Sequence, residues 1–432
     1  GFGLRASGVV SQAVRGVLCA ALLAAPAAAQ EGREIAERVA RVADGEVRLR
    51  YAARPGVCGD GRDLVAYRES FFSGTAQGFG GWRTADCVPG DVRVTVTLRG
   101  GEPTRLRTQV GGSWSDGAAT DLGLVPAREA AAWFLSLVPR LERSGAAARG
   151  RVLLPAVLAD DPTLVPPLLA IARDGARQMG TRRQAAHWVG LLGDASVVPA
   201  LAALAREGEV GSAALMALSI VPDGAGVPTL VELARAPRVE TRRDAVFWLA
   251  QSGHATALAA VRRVAEDERE EVRVRQHAVF SLAHADRVAA TERVWLRDLW
   301  RRVDDDRLKE SIAQGVAQDE SPEAGRWLLD RVRDPREPLR VRKQALFWAG
   351  QRKATPTAEL VAIARAADQA EIADHAIFVL SQRDDDASLD ALVAIAKGDA
   401  DVRTRKRALF WLGQRDDARV VKVLRAMIDG GA

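Results

Sequence analysis

The sequence predicts a mainly α-helical protein, an α-solenoid of stacked helix pairs preceded by a small α+β domain. Three observations carry this. A phrase recurs along the last two-thirds of the 432 residues, with clear copies at Arg342-Lys343-Gln344-Ala345-Leu346-Phe347-Trp348 and Arg405-Lys406-Arg407-Ala408-Leu409-Phe410-Trp411. Aligned on one register position, its copies fall at Ala185, Ala214, Ala245, Ala278, Ile312, Ala345, Ala376 and Ala408, in steps of 29, 31, 33, 34, 33, 31 and 32 residues. A near-constant period of that size marks units that bury their apolar faces only against their neighbours. Upstream of about residue 120 the apolar residues instead alternate with polar ones, the period of a strand. Two cysteines, Cys58 and Cys87, sit in that upstream part alone.

Residues 1–30 read as a secretory signal peptide. Arg5 and Arg15 precede an apolar run over 17–25, and Ala27, Ala28 and Ala29 supply small residues before Gln30. The run is too short to span a bilayer, and Gly16-Val17-Leu18 ahead of Cys19 lacks the lipoprotein pattern. A periplasmic or secreted destination is expected. In an oxidising compartment Cys58 and Cys87 form a disulfide. The five His lie between His187 and His375, so none stands near the pair to make a metal site of it. Loss of Arg5 and Arg15 lowers the formal charge from +5 to +3, a surplus too small to argue for nucleic acid.

The segment 31–118 is expected to be the α+β domain. Ile35, Val39 and Val42 among charged residues give a short helix over 31–44. Residues 46–51 and 92–98 alternate as strands, and Gly100-Gly101-Glu102-Pro103 turns the second into 104–110, a β-hairpin. Between the cysteines, aromatics interleave with glycines over 71–82; that stretch suits either a mobile binding loop or a strand pair packed on the sheet.

Residues 119–432 are expected to be helical throughout, with 127–141 and 151–159 forming an early, degenerate repeat. The clearest unit comes late: a first helix over 387–397, a turn at 398–401 and a second helix over 402–413. A last helix, 418–428, turns Val420, Val423, Leu424 and Met427 inward and closes the array. Helix pairs of this kind, with an Ala-x-x-[Trp/Ser/Val]-Leu core and Asp at the turns, resemble HEAT repeats. Their short period resembles the roughly 30-residue bacterial HEAT-like repeats of phycobilisome-lyase-type proteins, over about 120–432. The resemblance implies the fold and leaves activity open.

Three columns run through the second helices. The aromatic column is Trp188, Trp248, Trp348 and Trp411, preceded by Phe247, Phe280, Phe347, Phe378 and Phe410. Neighbouring Phe and Trp point about 100° apart, so one packs inside its unit and the other against the next unit or on the inner, concave surface. The basic column, Arg182/Arg183, Arg242/Arg243, Arg273/Arg275, Arg342/Lys343 and Arg405/Lys406, opens each second helix, where positive charge opposes the helix dipole. It calls for acids, either in a ladder with Asp174, Asp267, Asp334 and Asp399 or on an acidic partner. Six residues after the register position stand Gln251, His284, Gln318, Gln351, Gln382 and Gln414. These amides suit either capping of orphan carbonyls or an extended peptide laid along the groove.

No nucleophile elbow, zinc-protease helix, P-loop or dinucleotide fingerprint is present. His277 and His284 lack a third ligand at metal spacing. Asp304-Asp305-Asp306 and Asp384-Asp385-Asp386 lack the Gly and Glu of a calcium loop and read as helix caps. The expected function is therefore that of an exported, non-enzymatic scaffold. It needs no cofactor and takes a protein or peptide on Trp188, Trp248, Trp348, Trp411 and the Gln/His column. The rival readings are a lyase-like protein handling a small ligand or partner enzyme, and a nucleic-acid-binding HEAT-like protein.

Overall fold

The computed structural model describes residues 32–62, 65–67, 70–71, 87–114, 117–145, 151–207, 209–285, 290–399, 402–415, 419–422 and 425. The leader, most of the 71–82 stretch and most of the closing helix expected over 418–428 lie outside the described residues. Two compact units divide the chain, Gly1–Asp223 and Gly224–Ala432.

The first unit begins with α1 (Arg33–Val39), which buries Ile35 and Val39. Strands β1 (Gly45–Tyr51), β5 (Val92–Arg99), β6 (Glu102–Val110) and β7 (Thr120–Leu124) form a sheet in the order β6-β5-β1-β7. The β5–β6 hairpin turns at Gly100 and Gly101, both at positive φ as the tight reversal requires. Val92, Val94 and Val96 are fully buried while their polar neighbours face away, the alternation that fixes register. A second, small sheet joins β2 (Val57–Gly59), β3 (Val65–Tyr67) and β4 (Ser70–Phe71). Phe71 of the glycine-aromatic stretch ends β4. The Cys58–Cys87 disulfide is formed, with Cα atoms 5.2 Å apart.

Two expectations about this region need correction. The sheet does not end at residue 118: β7 pairs in parallel with β1. Its sequence, Thr-Asp-Leu-Gly-Leu, buries one side chain, Leu122, and carries too little alternation to read as a strand. Nor do residues 127–159 form a repeat. Helix α2 (Ala127–Ser144) covers the sheet, with Phe134 6.1 Å from Tyr51, and the five-residue α3 (Leu154–Leu158) is locked beside it. Tyr51 donates to the Pro155 carbonyl at 2.6 Å, and Arg54 donates to those of Val157 and Asp161.

Helix pairs follow. In the first unit they are α4 (Val165–Arg173) with α5 (Met179–Leu192) and α6 (Val198–Glu207) with α7 (Gly211–Ser219). In the second they are α8 (Val227–Leu233) with α9 (Val239–Ser252), α10 (Ala255–Glu266) with α11 (Val272–Ala283), and α12 (Ala290–Trp300) with α13 (Asp306–Ala317). Then come α14 (Pro322–Arg333) with α15 (Leu339–Gln351), α16 (Thr357–Ala366) with α17 (Ala370–Ser381), and α18 (Asp386–Ala394) with α19 (Val402–Gly413). Each second helix buries one stripe, as Ala345, Leu346 and Ala349 do in α15. Within each unit consecutive second helices also pack on one another, α5 on α7 and α9, α11, α13, α15, α17 and α19 in turn. This is the solenoid-like stacking of a mainly helical fold. Asp305 and Asp385 cap α13 and α18 by accepting from the Leu308 and Ser388 amides, at 2.9 and 2.8 Å. No helix among the described residues is long and apolar enough to cross a membrane.

Candidate functional site

Three kinds of contact fix the orientation of each second helix, and they decide what is left on its open face. The first is close approach. Five residues past the register position stands Gly190, Ala250, Ala283, Ala317, Gly350, Ser381 or Gly413. A Cβ on Gly190 would lie 2.8 Å from Ala217 Cα, and one on Gly350 would collide with a Val379 methyl. At these two positions the residue is small because the neighbouring helix passes there.

The second contact is the basic column. Arg182, Arg275 and Arg342 are buried, and their Nε atoms donate to the Ala172, Ala265 and Val332 carbonyls at 3.2, 3.0 and 2.7 Å. Those carbonyls belong to the last turn of the unit's first helix. The guanidinium that opposes the dipole of its own helix therefore sits at the favourable end of another. Its remaining nitrogens pair with acids of the following unit: Arg182 with Glu209 at 2.5 Å, Arg242 with Glu270 at 3.0 Å and Arg342 with Asp368 at 2.5 Å. Lys309 meets Glu337 in the same way, at 2.8 Å. The ladder exists, but its acids are these. Asp174, Asp267 and Asp334 fold back on their own turns and accept the amides of Ala176, Arg269 and Arg336.

The third contact is one the sequence reading missed. Directly after three of the glutamines stands Arg352, Arg383 or Arg415. Arg352 donates to the carbonyls of Ala317, Asp319 and Ser321; Arg383 reaches the Thr355 carbonyl, and Arg415 those of Ser381 and Arg383. These arginines satisfy carbonyls at the end of the preceding second helix or in the turn after it, close to the role considered for the glutamines. The repeated Gln-Arg dipeptide was the available signal.

The glutamines are thereby released. Gln318, Gln351, Gln382 and Gln414 are exposed and Gln251 is half-buried. Among the described residues only Gln382 of these makes a side-chain hydrogen bond, to the adjacent Ser381 at 3.3 Å. His284 stacks on Phe280 with centroids 4.1 Å apart and bonds the Phe280 carbonyl.

The aromatic column divides. Trp188 is fully buried, 6.0 Å from Tyr67 of β3, and so cannot line an accessible face. Trp248, Trp348 and Trp411 are half-buried, each edge-on to its preceding Phe at 5.0, 5.2 and 5.2 Å. Two phenylalanines are more open: Phe280, followed by Ser281, is 38% exposed and Phe410 52%. Rings meet between helices, Phe247 with His277 at 6.2 Å and Phe378 with Trp411 at 5.1 Å. Helix α13 interrupts the stripe with Gln314 and Gly315.

Charge frames these rings. Val402, Arg403, Lys406, Arg407 and Phe410 surround a shallow concavity on α19. Asp374 engages Arg403 at 2.8 Å and Arg407 at 3.1 Å. Burial pushes His277 below its ordinary range, helped by the Arg243 charge and opposed by Asp244. His375 is depressed to about 4 by burial and then by the Lys343 charge, so both imidazoles are neutral at pH 7. Among the described residues no group of three or more His, Cys, Asp and Glu is placed to hold a metal ion.

No family model matches the chain, and neither does any curated protein. Among solved structures, the CpcE–CpcF complex of phycocyanin lyase from Nostoc sp. PCC7120 is similar at 18% identity over 61% of this chain and 94% of that one, with a TM-score of 0.28. Human deoxyhypusine hydroxylase in complex with glycerol is similar at 16% identity over 65% and 96%, TM-score 0.21. The UNC-45 chaperone, which binds and folds muscle myosin, is similar at 12% identity over 67% and 49%, TM-score 0.22. Likeness this weak assigns no activity.

Proposed function

We propose that this is an exported, non-enzymatic HEAT-like scaffold, and that the open face of the second helices of Gly224–Ala432 takes up a protein or peptide partner. The observation that carries the reading is the exposure of Phe280 and Phe410 on the second helices α11 and α19. Phe410, with Arg403 and Arg407 beside it and the exposed Gln414 one turn further on, matches the composition of protein-binding surfaces, where aromatics and Arg supply most of the affinity. Trp248, Trp348, Trp411, Gln318, Gln351 and Gln414 belong to the proposed face, and Trp188 does not. Export is supported by the paired Cys58 and Cys87.

The test is capture of a partner from a periplasmic extract by the full chain, compared with Phe280→Ser and Phe410→Ser. Loss of a hot-spot ring costs about 2 kcal/mol or more, a drop of roughly thirtyfold in affinity. Both variants are expected to keep the melting temperature and lose the partner. Undiminished capture by the double variant overturns the assignment.

A further inference from the structure

We propose that the second unit also holds a binding site for an organic carboxylate, in the cavity between α14 and α16 walled by Arg352 and Thr355. The cavity measures about 280 Å3, with Gly325, Leu329, Ala354 and Pro356 among its lining residues. It lies among the first helices of the pairs and does not depend on the open face proposed above.

The argument comes from the repeat. Arg352 and Arg383 hold the same register position, and both direct terminal nitrogens to backbone carbonyls. Arg383 then completes itself: its Nε donates to Asp385 Oδ2 at 2.7 Å. Two residues after Arg352 the chain carries Ala354 where Asp385 stands in the next unit. Arg352 is 4% exposed, its Nε has no acceptor, and among the described residues no carboxylate pairs with it. Beside it, the hydroxyl of Thr355, 2% exposed, is likewise without a partner.

A glycine falls in the same place. The fourth residue of α14 is Gly325. A Cβ there would lie 3.6 Å from Arg352 Nε and 3.9 Å from Thr355 Oγ1. The two idle donors therefore lie side by side next to Gly325, in the wall of the cavity. The other charges at the rim are engaged, Glu359 by Arg333 and Arg326 by Glu323.

A buried guanidinium is ordinarily paired, and a buried donor without an acceptor costs about 1–3 kcal/mol. One repeat along, the missing group is a carboxylate; here a carboxylate brought from outside restores it. The cavity leaves room for a short aliphatic body against Leu329, Ala354 and Pro356. That chemistry belongs to a free branched-chain acid or to the C-terminus of a peptide with an aliphatic last residue.

The test uses the full chain and the Arg352 Nε–H resonance, assigned by its loss in Arg352→Lys. Sodium isovalerate and the peptide acetyl-Ala-Leu are titrated separately against sodium chloride. A saturable shift is expected with at least one, at a dissociation constant on the order of 1 mM for so small a ligand. If isovalerate is the tighter, the source is a free acid; if the peptide is, the source is a chain terminus. Ala354→Asp supplies the acid from within and is expected to raise the melting temperature while weakening binding at least about tenfold. Gly325→Leu, which fills the cavity, weakens it likewise. A resonance unmoved by both ligands, an Ala354→Asp protein that titrates like the parent, or an ordered water only in a crystal soaked with isovalerate overturns the proposal.

Discussion

Arg342 and Asp368 show how unequal two ends of one ion pair are. The Arg342 side chain is 2% exposed and that of Asp368 46%. Removing the acid strands a buried cation, whereas removing the base leaves a carboxylate in water. Asp368→Ala is expected to lower stability more than Arg342→Met does, read from urea midpoints. Equal losses would contradict this. His375 makes a pH prediction. Its folded pKa, about 4, lies below the unfolded value near 6.5, so the folded state binds fewer protons between them. Its contribution is complete above about pH 6.5 and is lost as pH falls toward 4. With allowance for partial exposure, the melting temperature should drop by roughly 2–6 °C over that interval, and His375→Gln should flatten the drop. At this scale the columns were legible in the sequence and their roles were only partly so. Phe and Trp 100° apart told that one ring packs inward, but spacing alone does not say which. The Gln column drew notice as a run of amides, while the capping was done by Arg352, Arg383 and Arg415, hidden among many other arginines.

Helices α5 and α15 approach the next second helix closely because their fifth position past the register residue is glycine. Gly190→Ala places a methyl against the backbone of Ala217, which cannot rotate away. It is expected to destabilise the protein by about 1–3 kcal/mol, although alanine is the better helix former. A stability gain in thermal melts would show that α5 and α7 do not approach as described. The helix pairs from α4 onward were readable because a strong apolar period repeats in them. Strand β7 and helix α2 were not, for opposite reasons. The strand is too short and polar to show alternation, and the helix has the same apolar spacing whether it covers a sheet or another helix. Ala354 was legible as a letter that breaks the repeat, yet only the fold sets it and Gly325 beside one guanidinium.

For the whole molecule, the two units lead to separable expectations. Cys58 and Cys87 are 29 residues apart, a loop whose closure is worth roughly 3–4 kcal/mol in the chain-entropy picture. Reduction should raise amide exchange in β1, β5 and β6 while protection in α15 and α17 holds. Loss of protection in both would contradict a local role for the disulfide. The charge surplus, the absent catalytic motifs and the stacked pairs were all readable before any coordinates. The choice of face was not, since it turns on which rings are left in water.

The central claim, that a partner seats on the open face of the second helices, is tested most directly by position. A photo-crosslinking phenylalanine analogue placed at residue 280 or 410, and at exposed residue 365 on a first helix as reference, can be activated in living cells. The account predicts one discrete adduct from 280 and 410 and none from 365. Adducts from 365 alone, or equally from all three positions, would contradict it.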